Sequence, residues 1–320
     1  MLKMSEKQST RIAYGEALKK LGKTNPNVLV CDADLAHATM TASFADAYPD
    51  RFYNFGIAEC NMMAASAALA HSGYTVFAST FAVFGAGRAF EQVRNAICYT
   101  KANVKLGLSH AGPSCGEDGG SHQAVEDISL MRTLPNMTVL VPADAYQMKK
   151  AVFAASELNG PVYIRTGRLP TEIITTEHTP FTIGIANRLR EGKDTAIIAC
   201  GIMVPKALQA ACMLESKGIS AMVIDMHTIK PIDKKAILHA ASTGAVVTAE
   251  EHSIIGGLGS AVAEVLAEER CSAAFERVGI KDRFGQSGKP EMLFEEYGLT
   301  AEEIEAAVLR TVALKASERK

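Results

Sequence analysis

The sequence predicts two consecutive α/β domains with mainly parallel sheets, and three observations carry that expectation. Short apolar, β-branched runs alternate with longer segments of helical period along nearly the whole chain, as in βαβ units. Several of these runs end directly in polar residues: Val30 leads to Asp32 and Asp34, Leu108 to Ser109 and His110, and Ile164 to Arg165. Strands of a parallel sheet meet their ligand-bearing loops in this way. Finally, 320 residues with 48% apolar and 21% charged composition suffice for two cores and exclude disordered, collagen-like and coiled-coil readings.

In the first half, strands are expected at 28–31, 75–78, 104–108, 138–141 and 162–165, together one sheet. Helices fit between them at about 9–22, 57–72, 86–100, 122–133 and 144–158, the last with Asp144 as N-cap. From Thr166 to Asp194, Gly, Pro, Thr and charges replace any clear period. The expected organisation is therefore a first domain over 1–175, a linker over 176–194 and a second domain over 195–320. The second series has strands at 195–200, 221–225 and 245–249, a weaker one near 275–278, and helices at about 203–217, 233–242, 257–269 and 300–315.

Thirty-three basic against 35 acidic residues leave a net charge of −2 and no excess for a phosphodiester backbone, so no nucleic acid partner is expected. The stretch Met1-Leu2-Lys3-Met4-Ser5-Glu6-Lys7 lacks a signal-peptide segment. No apolar run approaches the ~20 residues of a membrane span, so the expectation is a cytoplasmic protein without a membrane partner. Seven scattered cysteines without a CxxC pair suggest neither a disulfide framework nor a zinc site.

Three segments could carry chemistry. In Phe55-Gly56-Ile57-Ala58-Glu59-Cys60-Asn61, followed by an Ala-rich helix, Glu59 sits among small and apolar neighbours, where a bare carboxylate is costly. As a first-turn acid it would also suit the helix dipole. In Ser79-Thr80-Phe81-Ala82-Val83-Phe84-Gly85-Ala86-Gly87, two Phe three apart past a strand make an apolar platform or part of the core. In Ser109 to Gln123, two His and two acids stand among glycines after a strand, a density of titratable groups suited to a polyhydroxylated substrate and matching no metal motif. A fourth segment, Gly256-Gly257-Leu258-Gly259, has the look of an anion-binding turn opening a helix.

In this order, Gly-Ile-Ala-Glu-x-Asn at 56–61, Ser-Thr-Phe-x-x-Phe at 79–84, Gly-Glu-Asp-Gly-x-x-His-Gln at 116–123, Leu-Pro-Asn at 134–136 and Pro-Ala-Asp at 142–144 resemble the C-terminal half of transketolase. The resemblance implies a thiamine diphosphate pyrimidine-binding domain followed by a transketolase C-terminal domain. In that family a glutamate hydrogen-bonds the aminopyrimidine N1′ and promotes the tautomer that removes the thiazolium C2 proton; Glu59 matches it. Phe81 and Phe84 match the aromatic residues flanking the pyrimidine, while Gly87 stands where a further Tyr is common. The resemblance also places Asp34 close to the thiazolium and Asp118 and His122 beside the substrate hydroxyls, with His122 in an acid–base role. It puts His110 and Arg165 at the distal, usually phosphorylated end; Arg168 is the other arginine that could align there, and Ala38 replaces a common phosphate-contacting Ser.

What the resemblance does not find here is the N-terminal domain whose Gly-Asp-Gly motif holds magnesium and the diphosphate. It therefore implies a split enzyme: no metal ligands in this chain, a separate N-terminal subunit supplying them, self-association, and a heterotetramer with sites at subunit interfaces. The implied activity is ketol transfer, a two-carbon unit passing from a ketose or its phosphate to an aldose or its phosphate. The alternatives are a deoxyxylulose-phosphate synthase, a 2-oxoacid dehydrogenase E1 β-like subunit, and a non-catalytic regulatory subunit. The polyol-binding loop at 116–123 argues against the dehydrogenase, and retention of Glu59, Phe81, Phe84, Asp118 and His122 argues against the regulatory role.

Overall fold

Apolar runs at the expected positions pair into two sheets. The computed structural model describes residues 6–318; Met1–Ser5, part of the stretch read for a signal peptide, lie outside the described residues, as do 319 and 320. The first sheet has seven strands, in spatial order Thr228–Lys230, Thr138–Leu140, Val162–Arg165, Val104–Ser109, Thr75–Phe81, Val28–Asp32 and Phe52–Asn54. All pairs are parallel except Thr228–Lys230 on Thr138–Leu140. The second has five, Ala274–Ile280, Ala245–Ser253, Thr195–Ala199, Ala221–Asp225 and Asn187–Arg190, with the last antiparallel.

Where five strands were expected in the first sheet there are seven. Phe52–Asn54 adds a short edge, and Thr228–Lys230 crosses from the second half of the sequence to close the other edge. Asn187–Arg190, in the stretch without a clear period, is an edge strand of the second sheet, and Pro170–Glu172 pairs with Lys7–Ser9 near the N-terminus. Central strands such as Val28–Asp32 and Thr75–Phe81 are buried along their whole length, which is why they read as continuous apolar runs.

Helices pack on both sheets, among them Thr10–Thr24, Glu59–His71, Ala145–Glu157 and Met203–Ser216. Asp144 caps Ala145–Glu157 by accepting from Gln147 N, and its other oxygen accepts from Ile174 N and Thr175 N, pinning the chain that leaves the first domain. The helix expected at 122–133 starts only at Asp127, because 122–126 stay with the preceding loop. No helix among the described residues is long and apolar enough to cross a membrane.

Candidate active site

Glu59 is the first residue of Glu59–His71 and only 3% exposed, so it has both the helix N-terminus and the apolar surroundings that its sequence context offered. Its one hydrogen bond among the described residues is long, from Arg88 Nη1 to Oε2 at 3.4 Å; Oε1 has none. Phe81 ends the central strand Thr75–Phe81, and the chain then winds into a π-helical stretch, Val83–Arg88, a wide turn that often accompanies functional sites. That turn lays Phe84 beside Phe81 with the rings 15° from parallel and 5.9 Å apart. Arg88 lies over the Phe84 ring at 4.8 Å and so links both Phe84 and Glu59. Sequence reasoning missed Arg88; its only signal was a lone charge following Gly85-Ala86-Gly87.

Both histidines of the third segment reach this platform. His110 stacks on Phe81 at 3.9 Å, and His122 meets Phe81 and Phe84 edge-on at 6.1 and 5.4 Å. Ser109 Oγ and Ser121 Oγ each contact the Nδ1 of the adjoining histidine, at 2.8 and 3.0 Å. Burial first, then the Arg11 and Arg168 charges, push the His110 imidazole down to about 4, so at neutral pH it is an uncharged hydrogen-bonding group. The backbones of His110 and Asp34 are left-handed, with φ of 59° and 65°, a strained conformation for residues with a side chain. Asp34 is exposed and held by Asn54, whose Oδ1 accepts from Asp34 N at 3.1 Å. Buried Asp32 anchors the same loop by accepting from Leu35 N, Thr39 Oγ1 and Thr41 Oγ1.

Asp118 projects from the turn Pro113–Asp118, half exposed, with Arg168 Nη1 3.5 Å from its carboxylate. Arg168 also donates to Cys115 O. Arg11, near the start of Thr10–Thr24, is a further residue that sequence reasoning missed. Burial and the Arg168 charge lower its pKa, and its buried Nε has no hydrogen-bond partner among the described residues. Arg11 and Arg168 thus form a positive corner beside the uncharged His110 and the aromatic platform.

Arg165, expected at the substrate's distal end, is engaged inside the protein. Only 7% exposed, it donates from Nε and Nη2 to both Asp127 oxygens at 2.7 and 3.1 Å, and from Nη2 to Glu251 O at 2.9 Å. Its Nη1 lies 3.5 Å from Glu251 Oε2. Burial drives the Asp127 carboxyl upward, but the Arg165 charge and hydrogen bonds, with the His252 charge and the Tyr163 hydrogen bond, together overcome it and hold that group below its ordinary value. Four of its five N–H donors are engaged internally, and Arg168 is the arginine that faces the loop. The Gly256–Gly259 turn is likewise occupied: its anion is the chain's own Glu250, which accepts from Leu258 N and Gly259 N at 2.7 and 2.8 Å. Glycine is needed at 257 because a Cβ there would collide with that carboxylate.

The group that the first domain's motifs imply fits these residues. Glu59 offers a buried carboxyl with one oxygen unclaimed, and Phe81 and Phe84 offer parallel faces for a flat heteroaromatic ring. Among the described residues, no cluster of three or more His, Cys, Asp or Glu could hold a metal ion.

Comparison with known proteins places these features in a family. Residues 6–172 match the transketolase pyrimidine-binding domain and residues 184–304 the transketolase C-terminal domain. A solved structure of a split-gene transketolase, described as an inactive β4 tetramer, superposes with a TM-score of 0.88 at 53% identity, covering 96% of this chain and 99% of that one. A protein of Methanocaldococcus jannaschii, provisionally named a transketolase C-terminal section, is 48% identical over 93% of this chain and 95% of its own. The 6-deoxy-6-sulfo-D-fructose transketolase subunit SqwH of a Clostridium strain is 42% identical over 93% of both chains.

Proposed function

The chain belongs to the transketolase family, as a C-terminal section and transferase subunit, and we propose that it forms the pyrimidine side of a thiamine diphosphate site and the sugar-binding side of a ketol transfer. A separate N-terminal subunit would hold the diphosphate and magnesium, two copies of each chain forming a heterotetramer. The observation that carries this reading is the buried Glu59 carboxyl, one oxygen unclaimed, beside the parallel Phe81 and Phe84 rings.

When bound, thiamine diphosphate supplies a thiazolium carbon able to add to a ketose carbonyl and an electron sink for cleavage of the adjoining carbon–carbon bond. Glu59, buried with one oxygen unclaimed, would hold the pyrimidine nitrogen of the bound cofactor by a hydrogen bond through which a proton can pass. Phe81 and Phe84 exclude water from the ring face, and Arg88, tied to both Glu59 and Phe84, steadies that wall. Asp34, on its strained turn, would adjoin the thiazolium end of the bound cofactor. Asp118 accepts from sugar hydroxyls, and His122 donates to, and holds the proton of, the oxygen that gains charge as the bond breaks.

His110, uncharged, hydrogen-bonds the sugar, and Arg168 with Arg11 receives its anionic terminus. A phosphate or a sulfonate suits such a corner equally, and one relative is named for a sulfosugar. The test is reconstitution of the chain with its partner, thiamine diphosphate, magnesium and a ketose–aldose pair. Exchange is expected, and a Glu59→Ala variant with full activity would sink the role given to that carboxyl.

A further inference from the structure

We propose that the C-terminal domain's loop 284–289 is a latch on the substrate loop 116–123, with Gln123 and Ser287 as positioning residues; this rests on the sugar-binding reading of Asp118 and His122. The substrate loop's own backbone hydrogen bonds are local turns, from Gly119 N to Gly116 O and from His122 N and Gln123 N to Gly119 O, which shape the loop without fixing it to the rest of the protein. Gly116 and Gly119 have φ of 81° and 76°, and such glycines leave a loop free to move unless it is tied from outside.

The ties come at both flanks of the two functional residues. Gln123, 2% exposed, donates from Nε2 to Gly116 O at 2.8 Å, across the loop's own neck, and to Gln286 O at 2.9 Å in the second domain. Ser287 Oγ donates to Glu117 O at 2.7 Å, the residue before Asp118. Between these points the loops touch directly. A Cβ on Gly119 would lie 3.5 Å from Ser287, and one on Gly120 would strike Gly285 O.

Two carbonyl acceptors require a side chain with two N–H donors, which an amide has and a carboxylate lacks. The other end of that amide fits as closely. Gln123 Oε1 is buried without a hydrogen-bond partner and occupies the space that a Cβ on Gly285 would need. Gln123 and Gly285 therefore depend on each other, and a domain that supplies none of the proposed reacting groups sets the position of Asp118 and His122.

The test uses the complex with the partner subunit, thiamine diphosphate and magnesium, with xylulose 5-phosphate, fructose 6-phosphate or hydroxypyruvate as donor and ribose 5-phosphate as acceptor. Gln123→Glu and Ser287→Ala are expected to lower kcat/KM for the sugars by on the order of ten- to a hundredfold, mainly through KM, since misplacement of about 1 Å has effects of that size. Cofactor affinity, read by titration calorimetry, stays within about twofold of wild type because the Glu59 and Phe81 side is untouched. Ser287→Thr, which keeps the hydroxyl, restores the wild-type KM. Gly285→Ala does much less harm in a Gln123→Ala background than alone, a coupling that two independent structural defects would not show. In the full chain by itself, amide hydrogen exchange over 116–123 accelerates in Gln123→Glu and Ser287→Ala.

Wild-type sugar kinetics together with unchanged loop exchange in these variants would overturn the latch, as would a parallel loss of cofactor affinity. Absence of exchange activity in the wild-type complex with every donor would instead count against the transketolase reading, and hydrogen exchange in the full chain would still decide the latch.

Discussion

Replacing Arg165 and Arg168 in turn separates an arginine that holds the fold from one that meets substrate. Arg165→Met removes three N–H interactions from two carboxylates that are 0% and 4% exposed, and a fourth from the Glu251 carbonyl, leaving Tyr163 Oη on Asp127 and Ser114 N on Glu251 as the carboxylates' remaining donors. Breaking a buried ion pair from one side costs about 3–5 kcal/mol. At roughly 2–4 °C per kcal/mol, the melting temperature should fall by about 6–20 °C. The pH dependence has a definite sign. In the wild type the Asp127 pKa is below its ordinary value, so its contribution is present above the usual carboxylate range and is lost as pH falls through the folded value. Without Arg165, burial, the largest influence on this group, outweighs the remaining Tyr163 hydrogen bond and raises that pKa, so the variant weakens as pH rises, and the gap between the two proteins widens from pH 4 to pH 7. Arg168, a third exposed and 3.5–3.8 Å from Asp118 and Glu117, belongs to the class of surface pairs worth about 0–1 kcal/mol. Arg168→Met should therefore melt within about 3 °C of wild type. It should also raise the KM for a phosphorylated or sulfonated sugar by on the order of tenfold, the loss of one charge-assisted contact. Melting curves across pH 4–8 and initial rates of the reconstituted complex read both outcomes. An Arg165→Met protein that melts with wild type and loses sugar affinity, beside an Arg168→Met protein with normal kinetics, would refute the assignment.

Other outcomes follow from the same geometry. Glu59→Gln should keep the fold and lower exchange by about 10²–10⁴, the usual range for a lost proton-transferring group, checked by single-turnover rates. Phe84→Ala should weaken cofactor binding while circular dichroism stays native, because the ring is a wall only half covered by protein; unchanged affinity in calorimetry would remove it from the site. Burial pushes the Asp225 carboxyl up to about 7 from 3.8, so the folded state keeps a proton that the unfolded state has released. Its contribution is full below about pH 4 and fades as pH rises to 7, a change of about 4 kcal/mol at 1.36 kcal/mol per unit. Asp225→Asn should flatten that slope in urea unfolding at pH 5 and pH 8. His110, held down at about 4, should give no ionisation between pH 5.5 and 8 in its NMR ring signals.

The central strands were legible because burial on both faces makes them continuous apolar runs, as in Thr195–Ala199 and Val104–Ser109. The edges were not. Phe52–Asn54 and Asn187–Arg190 are short and partly polar, and Thr228–Lys230 finds its partner nearly ninety residues away, which no local period encodes. In the site, Glu59, Phe81, Phe84, Asp118 and His122 were picked out by the ordered set of motifs and the family it resembles; by residue type alone Glu59 is equally a first-turn acid and the two Phe equally core. Arg165 and Arg168 could not be told apart in sequence, since both follow the same strand and only burial shows that one is consumed by Asp127. Arg11 gave no signal and Arg88 only a lone charge after two glycines, because an isolated charge on a helix is the ordinary content of a solvated face. The turn at Gly256 was recognised as an anion site, but that its anion is Glu250 depends on a strand folding back beside the helix.

The most direct test of the account is transfer of a labelled two-carbon unit. The chain is combined with its N-terminal partner, thiamine diphosphate and magnesium, a ketose carrying ¹³C at C1 and C2 is supplied, and the aldose-derived product is read by NMR. The account predicts label in the lengthened sugar only when both polypeptides and the cofactor are present, and its loss with Glu59→Ala. Transfer by this chain without the partner, or release of carbon dioxide from pyruvate in place of ketol transfer, would contradict it.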